Sequence, residues 1–388
     1  MASNNLRVLY NNLVDNNNVT TTVTASSSAS ASTPVTNLAL DHKTIIWRSS
    51  TTSNGVSPTL TTATVSFTTQ VINPATGTTV ASPAVTATTV TTNYITCAST
   101  TGFVVGYPIV FTGTSAGGIV SGNVYYISAI VSGTQFTVIT ATKANLILTF
   151  SSLQAVKLVA LPFTNLTTSC IIRVRGYSGV ACSTQLLTDN PVVTAGTSTI
   201  FDTGYIPAVP YSLSGNWSWG YTSIGVNTFA YGGGTYARVW NSAANPNCTS
   251  LSIEIHDNTS DKYIECSRLV VGDYWTPQYN TQYGLSTTMS DTSVNQRTEA
   301  GDLITNRGTK YNKVNFNMGY LSYTDRDNLL SIMRGAGISK PLFVSLFPQD
   351  SDTGKERAHQ IYGKLTGINE VQHYSLGFYS NTLEIEEI

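Results

Sequence analysis

Charge is scarce in this sequence. Asp, Glu, Lys and Arg make up 11% of the 388 residues, where about 25% is usual for a globular domain. The formal net charge is −1. There is no basic stripe or arginine run, so nucleic-acid binding through phosphate neutralisation is not expected. A net charge high enough to hold the chain unfolded is also missing. A chain so near neutrality repels its own copies weakly, which favours association. Long apolar runs are absent as well. No stretch approaches the roughly 18 apolar residues of a spanning helix, and Met1-Ala2-Ser3-Asn4-Asn5-Leu6-Arg7 lacks the apolar centre of a signal peptide. The expectation is synthesis in the cytoplasm without membrane insertion.

The motifs of common chemistries are missing too. Five cysteines, Cys97, Cys170, Cys182, Cys248 and Cys266, form no C-x-x-C pair, and buried reduced thiols are expected. The four histidines, His42, His256, His359 and His373, fall in neither H-E-x-x-H nor any paired metal spacing. There is no G-x-S-x-G elbow, and Gly232-Gly233-Gly234 lacks the Lys-Ser/Thr of a phosphate loop. His256-Asp257 reads as a strand end where Asp257 and Asn258 bend the backbone, in preference to an acid–base pair. Glu254 and Glu265 read as solvent-side strand residues, because no wider acidic cleft accompanies them as a glycosidase would need. The chain is therefore not expected to be an enzyme, and no cofactor is expected.

Thr, Ser, Asn, Gly and Tyr take the place of charge. Thr and Tyr suit a pleated, half-buried surface, while Gly, Asn and Ser suit turns. A mainly-β fold follows. The alternation Val19, Thr21, Val23 suggests a strand, and Asp41 to Arg48 a second. Residues 52–143 read as an inserted β-module. Ala63 to Thr68 alternates, Phe103 to Phe111 is followed by a glycine turn at Gly117-Gly118, and Gly122 to Ile130 and Gln135 to Ile139 complete a small barrel or sandwich. Strand-like runs 146–150, 156–161, 171–177, 237–240 and 251–255 are separated by turn-rich loops. They indicate a β-sandwich built from 1–51 and 144–276. Residues 277–388 read as an α+β unit, an antiparallel sheet with one helix on a face. Val314, Phe316, Met318 and Tyr320 should share a strand face. The helix should be capped by Thr324 with Asp327, bury Leu329, Ile332 and Met333, and stop at Gly335 and Gly337.

One aromatic cluster stands out. Tyr205, Tyr211, Trp217, Trp219, Tyr221, Tyr231, Tyr236 and Trp240 lie close in sequence. Trp217, Trp219, Tyr221, Tyr236 and Trp240 are the candidates for stacking on sugar rings, with Asn216 and Ser218 as hydroxyl partners. The competing and commoner use of such rings is to fill a core or a subunit interface.

Several segments together resemble tailed-bacteriophage virion proteins of the tail or baseplate type. They are Asn5-Leu6-Arg7-Val8-Leu9-Tyr10-Asn11-Asn12-Leu13, Trp47-Arg48-Ser49, Phe163-Thr164-Asn165-Leu166, Ile172 to Tyr177, Ile264 to Gly272, Lys340 to Pro348 and Leu383 to Glu387. Segment 101–139 is similar to a small β-module that recurs in phage structural proteins. The likeness covers most of the chain outside 52–95. It implies a galactose-binding-like, jelly-roll sandwich and a structural role in the virion, with other virion proteins as partners in a homo-oligomeric ring. Capsid decoration and contact with a host surface glycan are its alternatives. It also implies that Asp257, Asp261 or Asp273 would supply oxygens to a structural calcium ion, although no EF-hand loop is present. The last strand, with Leu383, Ile385 and Ile388, is the candidate for pairing along a neighbour's sheet edge.

Overall fold

The computed structural model describes residues 5–15, 20–50, 55–179, 198–210, 234–259, 261–350 and 352–388. The architecture is mainly β, with one small barrel, one sandwich and one sheet covered by a helix.

Among the described residues, the sandwich has two sheets of five strands. The outer sheet runs Thr199–Pro207, Ile171–Tyr177, Asn247–Asp257, Thr142–Ala155, Thr21–Ala25. The inner sheet runs Thr235–Trp240, Leu158–Thr164, Glu265–Cys266, Trp47–Arg48, with Val270–Gly272 also paired to Leu158–Thr164. Successive strands often change sheet, as in a jelly roll. Period-2 alternation explains the shared core. Leu146, Leu148, Ile172, Val174, Leu251, Ile253 and Ile255 of the outer sheet meet Trp47, Val159, Leu161, Val239 and Cys266 of the inner one. Strand Asp41 to Arg48 shortens to Trp47–Arg48. Trp47 is fully buried, and its indole N–H donates to the Ser27 carbonyl at 3.2 Å.

The insertion is a closed barrel. Strands Ala63–Ile72, Ala84–Thr89, Tyr94–Cys97, Gln135–Thr140, Val124–Ile130 and Pro108–Gly113 follow in order, and pairing of Pro108–Gly113 with Ala63–Ile72 completes the ring. Closure pairs each of these six strands on both sides, while the short strand Thr79–Ala81 adds to Ala63–Ile72 outside the ring. Its centre is aromatic: Phe67 meets Phe111 at 5.7 Å and Phe103 meets Phe136 at 4.9 Å, both edge to face. Gly117 and Gly118 form the expected turn, at φ +64° and +87°, between the mutually bonded Ala116 and Ile119. Only glycine takes two such values without a steric penalty. The barrel rests on the sandwich through Ile72, Val110, Tyr126 and Ile171, and the Tyr126 hydroxyl donates to the Ser169 carbonyl at 3.0 Å.

The C-terminal sheet has seven strands. Its path is Arg7–Leu9, Leu342–Ser345, Gln360–Leu365, Phe378–Glu387, Lys310–Leu321, Ser286–Asp291, with Gln372–Ser375 also paired to Phe378–Glu387. The first strand therefore belongs here and not to the sandwich, pairing Arg7 with Ser345 and Leu9 with Phe343. Three residues give no alternation from which to assign a partner. Helix α1 (Tyr323–Ala336) covers one face. Leu329, Ile332 and Met333 pack on Val314, Phe316, Met318, Val344, Ile361 and Ile385. A second helix, α2 (Thr353–Ala358), was not foreseen.

Two local expectations are corrected. A register shift after Met318 turns Tyr320 outward and buries Leu321 instead. The helix cap is Ser322, not Thr324. The Ser322 hydroxyl accepts from the Asp325 N–H at 3.2 Å and lies 2.8 Å from the Asp325 carboxylate. Asp325 also accepts from the Gln278 N–H at 3.1 Å, tying the incoming linker to the helix start. Gly337, at φ +54°, ends the helix as expected. Ser322→Ala should then cost about 1 kcal/mol, the usual worth of an N-cap, while Thr324→Ala should change stability by no more than a few tenths of a kcal/mol. Urea denaturation of the two variants separates the assignments.

Candidate functional site

The inner sheet has a second face, which meets the C-terminal sheet. Leu158, Ala160, Phe163, Trp240 and Val270 pack on Leu9, Phe343 and Tyr362. Apolar contact has no direction of its own. Three buried polar clusters supply direction around it.

The first cluster centres on Glu356, which α2 delivers fully buried. Strand Thr235–Trp240 places Tyr236, Arg238 and Trp240 two apart, on the face opposite Ala237 and Val239. Arg238 grips both oxygens of Glu356, at 3.0 and 2.6 Å, and its remaining nitrogen donates to the carbonyls of Pro207 and Ala208, each at 3.1 Å. Trp240 Nε1 and Gln360 Nε2 donate to the same carboxylate at 3.1 and 3.0 Å. Arg7 lies over the rings of Trp240 and Tyr274, at 4.5 and 4.8 Å.

In the second cluster, Glu387 accepts from the Tyr236 hydroxyl at 2.7 Å, from Lys43 at 3.1 Å and from the Asn312 N–H at 3.1 Å. Burial and the neighbouring Glu387 carboxylate hold the Tyr236 phenol well above its ordinary range. The third joins Arg268 to the Tyr362 hydroxyl at 2.9 Å and to Asp15 at 2.6 Å, while Tyr362 donates to Asp41 at 2.8 Å. Burial raises the Asp15 carboxyl, and the Arg268 guanidinium opposes that rise.

Beside this joint lies a groove of about 350 Å³. Its walls are the loop holding Tyr10 and Asn11, the strand end at Gln154, the linker Asp273 to Trp275, and Asn328 and Ile332 one turn apart on α1. The walls are fixed. Val8 and Trp275 exchange two backbone hydrogen bonds of 2.9 Å, and the Leu13 N–H donates to the Val271 carbonyl at 2.9 Å. Buried Asn12 locks the loop, donating to the Leu269 carbonyl and accepting from the Val271 N–H.

The candidate residues named from sequence fall elsewhere. Trp217, Trp219 and Tyr221 lie outside the described residues, as does Cys182. Tyr236 and Trp240 share a face but belong to the joint, each bonded to a carboxylate. Leu383 and Ile385 are buried under α1, and their strand is paired on both sides, with Lys310–Leu321 and Gln360–Leu365. It offers no free edge. Ile388 packs against the apolar cluster of the joint. Cys97, Cys170, Cys248 and Cys266 are all buried.

Glu254 and Glu265 are not solvent-side. Both are buried, on different sheets, and paired with Arg175 and Arg48. Their purpose there is charge balance across neighbouring strands, since a buried carboxylate without a partner is costly. His256 packs edge-on against Tyr205 at 5.6 Å. Asp257 ends its strand fully buried, accepting from the Thr167 N–H at 2.9 Å, the Thr167 hydroxyl and the Asn258 N–H at 2.8 Å. Asp261 accepts from Asn165 at 3.1 Å, and Asp273 pairs with Lys157 at 3.0 Å. Among the described residues, no three His, Cys, Asp or Glu groups are placed to hold a metal ion. Nor is any described helix long and apolar enough to cross a membrane. A scan of protein-family models found no match to the chain, and a search of curated proteins found none either.

Two outcomes follow from these buried groups. Glu356→Ala leaves Arg238 buried without its counter-charge, so it should lower stability by about 3–5 kcal/mol, read from the denaturation midpoint. Burial pushes Asp257 from an ordinary 3.8 up to about 6, against the pull of its hydrogen bonds to Thr167. The native state then holds this proton more tightly than the unfolded one. Its contribution to stability is present below about pH 4 and is lost as the pH rises through about 6. Asp257→Asn removes that dependence. The stability of the wild type relative to the variant should fall by about 3 kcal/mol between about pH 4 and about pH 7; a flat difference would contradict the assignment.

Proposed function

We propose that this chain is a non-enzymatic structural subunit of a tailed-phage particle, of the tail or baseplate type, that assembles with copies of itself through its C-terminal sheet. The virion placement rests on the sequence resemblance. The assembly role rests on one structural observation, the free edge of that sheet. Among the described residues, strand Ser286–Asp291 pairs only with Lys310–Leu321, and its ladder runs on past Asp291 and Lys310 into a two-stranded ribbon, Val294–Arg297 with Leu303–Asn306. Every residue of the ribbon strands is exposed. Met289, Val294, Leu303 and Ile304 each show more than half of their surface to solvent.

An isolated two-stranded ribbon is marginal in water. An uncovered edge with apolar side chains is a template for another strand. At the opposite edge of the sheet, the Val8 N–H and carbonyl that face away from Leu342–Ser345 are both taken by Trp275. One edge is thus open and the other shut. The contact this favours is between the ribbon and a different surface of the next copy, which is the head-to-tail geometry that closes rings. The near-neutral charge of the chain offers little repulsion to oppose it.

Light scattering on purified protein tests this reading. The wild type should form a multimer, and the double substitution Leu303→Lys, Ile304→Lys should shift it to a monomer with unchanged circular dichroism, since both side chains are exposed on the single chain. A wild type that stays monomeric at high concentration, or a multimer indifferent to the two lysines, overturns the proposal.

A further inference from the structure

We infer that the groove between the sandwich and α1 is a binding site for a small neutral saccharide or polyol. The inference is separate from the assembly reading, since it needs only the folded chain. Three features carry it: size, the kind of groups on the walls, and charge.

A volume of about 350 Å³ lies at the small end of ligand pockets, which span roughly 300–1,000 Å³. That suits one or two sugar rings and excludes a folded partner. The aromatic wall is Tyr10, Tyr274 and Trp275, all half-buried. Such rings give flat apolar surface to the C–H faces of a sugar. The polar wall is Asn11, Gln154, Asp273 and Asn328. Amides both donate and accept, as hydroxyl groups do, and a carboxylate accepts from two hydroxyls at once. Asn11 and Asn328 are exposed, and within the described chain their side chains are bonded to nothing. The Trp275 indole N–H is buried and has no hydrogen-bond partner in the described chain, a rarity for a buried donor.

Charge narrows the class. The lining holds one carboxylate and no cation. The nearest ammonium, Lys157, is already paired with Asp273 at 3.0 Å. With that pair mutually neutralised, the described lining offers no unpaired cation to a phosphate or an acidic sugar, which would lose its hydration without a counter-charge, so neutral ligands are favoured. A purely apolar ligand would strip water from the Asn11 and Asn328 amides without replacing their hydrogen bonds.

The walls come from both units. Gln154 and Asp273 extend from the sandwich, while Asn328 and Ile332 sit on the helix of the C-terminal sheet. A ligand here touches both and adds to the joint, so binding raises the melting temperature of the whole chain.

The test uses the full chain with glucose, galactose, N-acetylglucosamine and maltose as probes and glucuronate as the anionic control. Saturation-transfer NMR reports contact, and a thermal shift reports the linkage. Asn11→Ala and Asn328→Ala, both at exposed positions, keep the fold. At least one neutral probe should show transfer and a raised melting temperature. The double variant should bind it about tenfold more weakly, the loss expected for one or two hydrogen bonds. Glucuronate should bind more weakly than the neutral probes. Absence of transfer from all four neutral sugars overturns the inference. So does binding that survives the double variant, or a preference for glucuronate.

Discussion

Burial of the Glu356 carboxylate is the constraint on which the arrangement of the chain depends. A charge taken out of water is stable only if its partners are in place. Here the partners come from separate parts of the sequence: Arg238 and Trp240 from the sandwich, Gln360 from the C-terminal sheet. They meet only when the two sheets are docked in one orientation. Glu387 and Arg268 repeat the device at other points of the same contact. Leu158, Phe163 and Phe343 provide the apolar area, and the three clusters fix the angle at which it is covered. The groove exists because that angle is fixed.

The scarcity of charge acquires a meaning in this light. Arg7, Arg238, Arg268, Glu254, Glu265, Glu356 and Glu387 are all buried. Part of a limited stock of ionisable side chains therefore lies inside the fold, while Thr, Ser and Asn cover much of the outside. Surface ion pairs are worth little, and exposed charges of one sign repel copies. A chain built this way holds its layers by internal ion pairs and leaves its exterior permissive to contact.

Much of the fold was legible because strands announce themselves by alternation. Leu146, Leu148 and Phe150, or Val314, Phe316 and Met318, needed nothing more. Short Thr-rich strands such as Thr79–Ala81 and Ala84–Thr89 were missed, since threonine fits either side of a sheet and leaves no apolar period. Tyr320 was misplaced because a bulge resets the alternation, and bulges carry no fixed sequence sign. The site was far less legible. Tyr236 and Trp240 stand out in the sequence only as members of an aromatic cluster, and what their strand face meets depends on Glu356 and Glu387, more than a hundred residues away. The groove draws on positions 10–11, 154, 273–275 and 328. Only the adjacent pair Tyr274-Trp275 could have hinted at it.

The threading of the chain through its layers also sets an order of events during synthesis. The barrel uses one continuous stretch, 63–140, and closes on itself, so it can form while the rest is still being made. The sandwich must wait for Glu265–Cys266 to pair with Trp47–Arg48, a strand laid down before the barrel. The last sheet waits longest. Arg7 bonds Gln349 across a separation of 342 positions, and Lys313 faces Glu386. At typical translation rates, the apolar segment Leu6 to Leu9 stays without its strand partner for roughly tens of seconds. For that interval the nascent chain carries a finished barrel between an unpaired first strand and an incomplete sandwich, and protecting Leu6, Val8 and Leu9 falls to chaperones or to the ribosome surface.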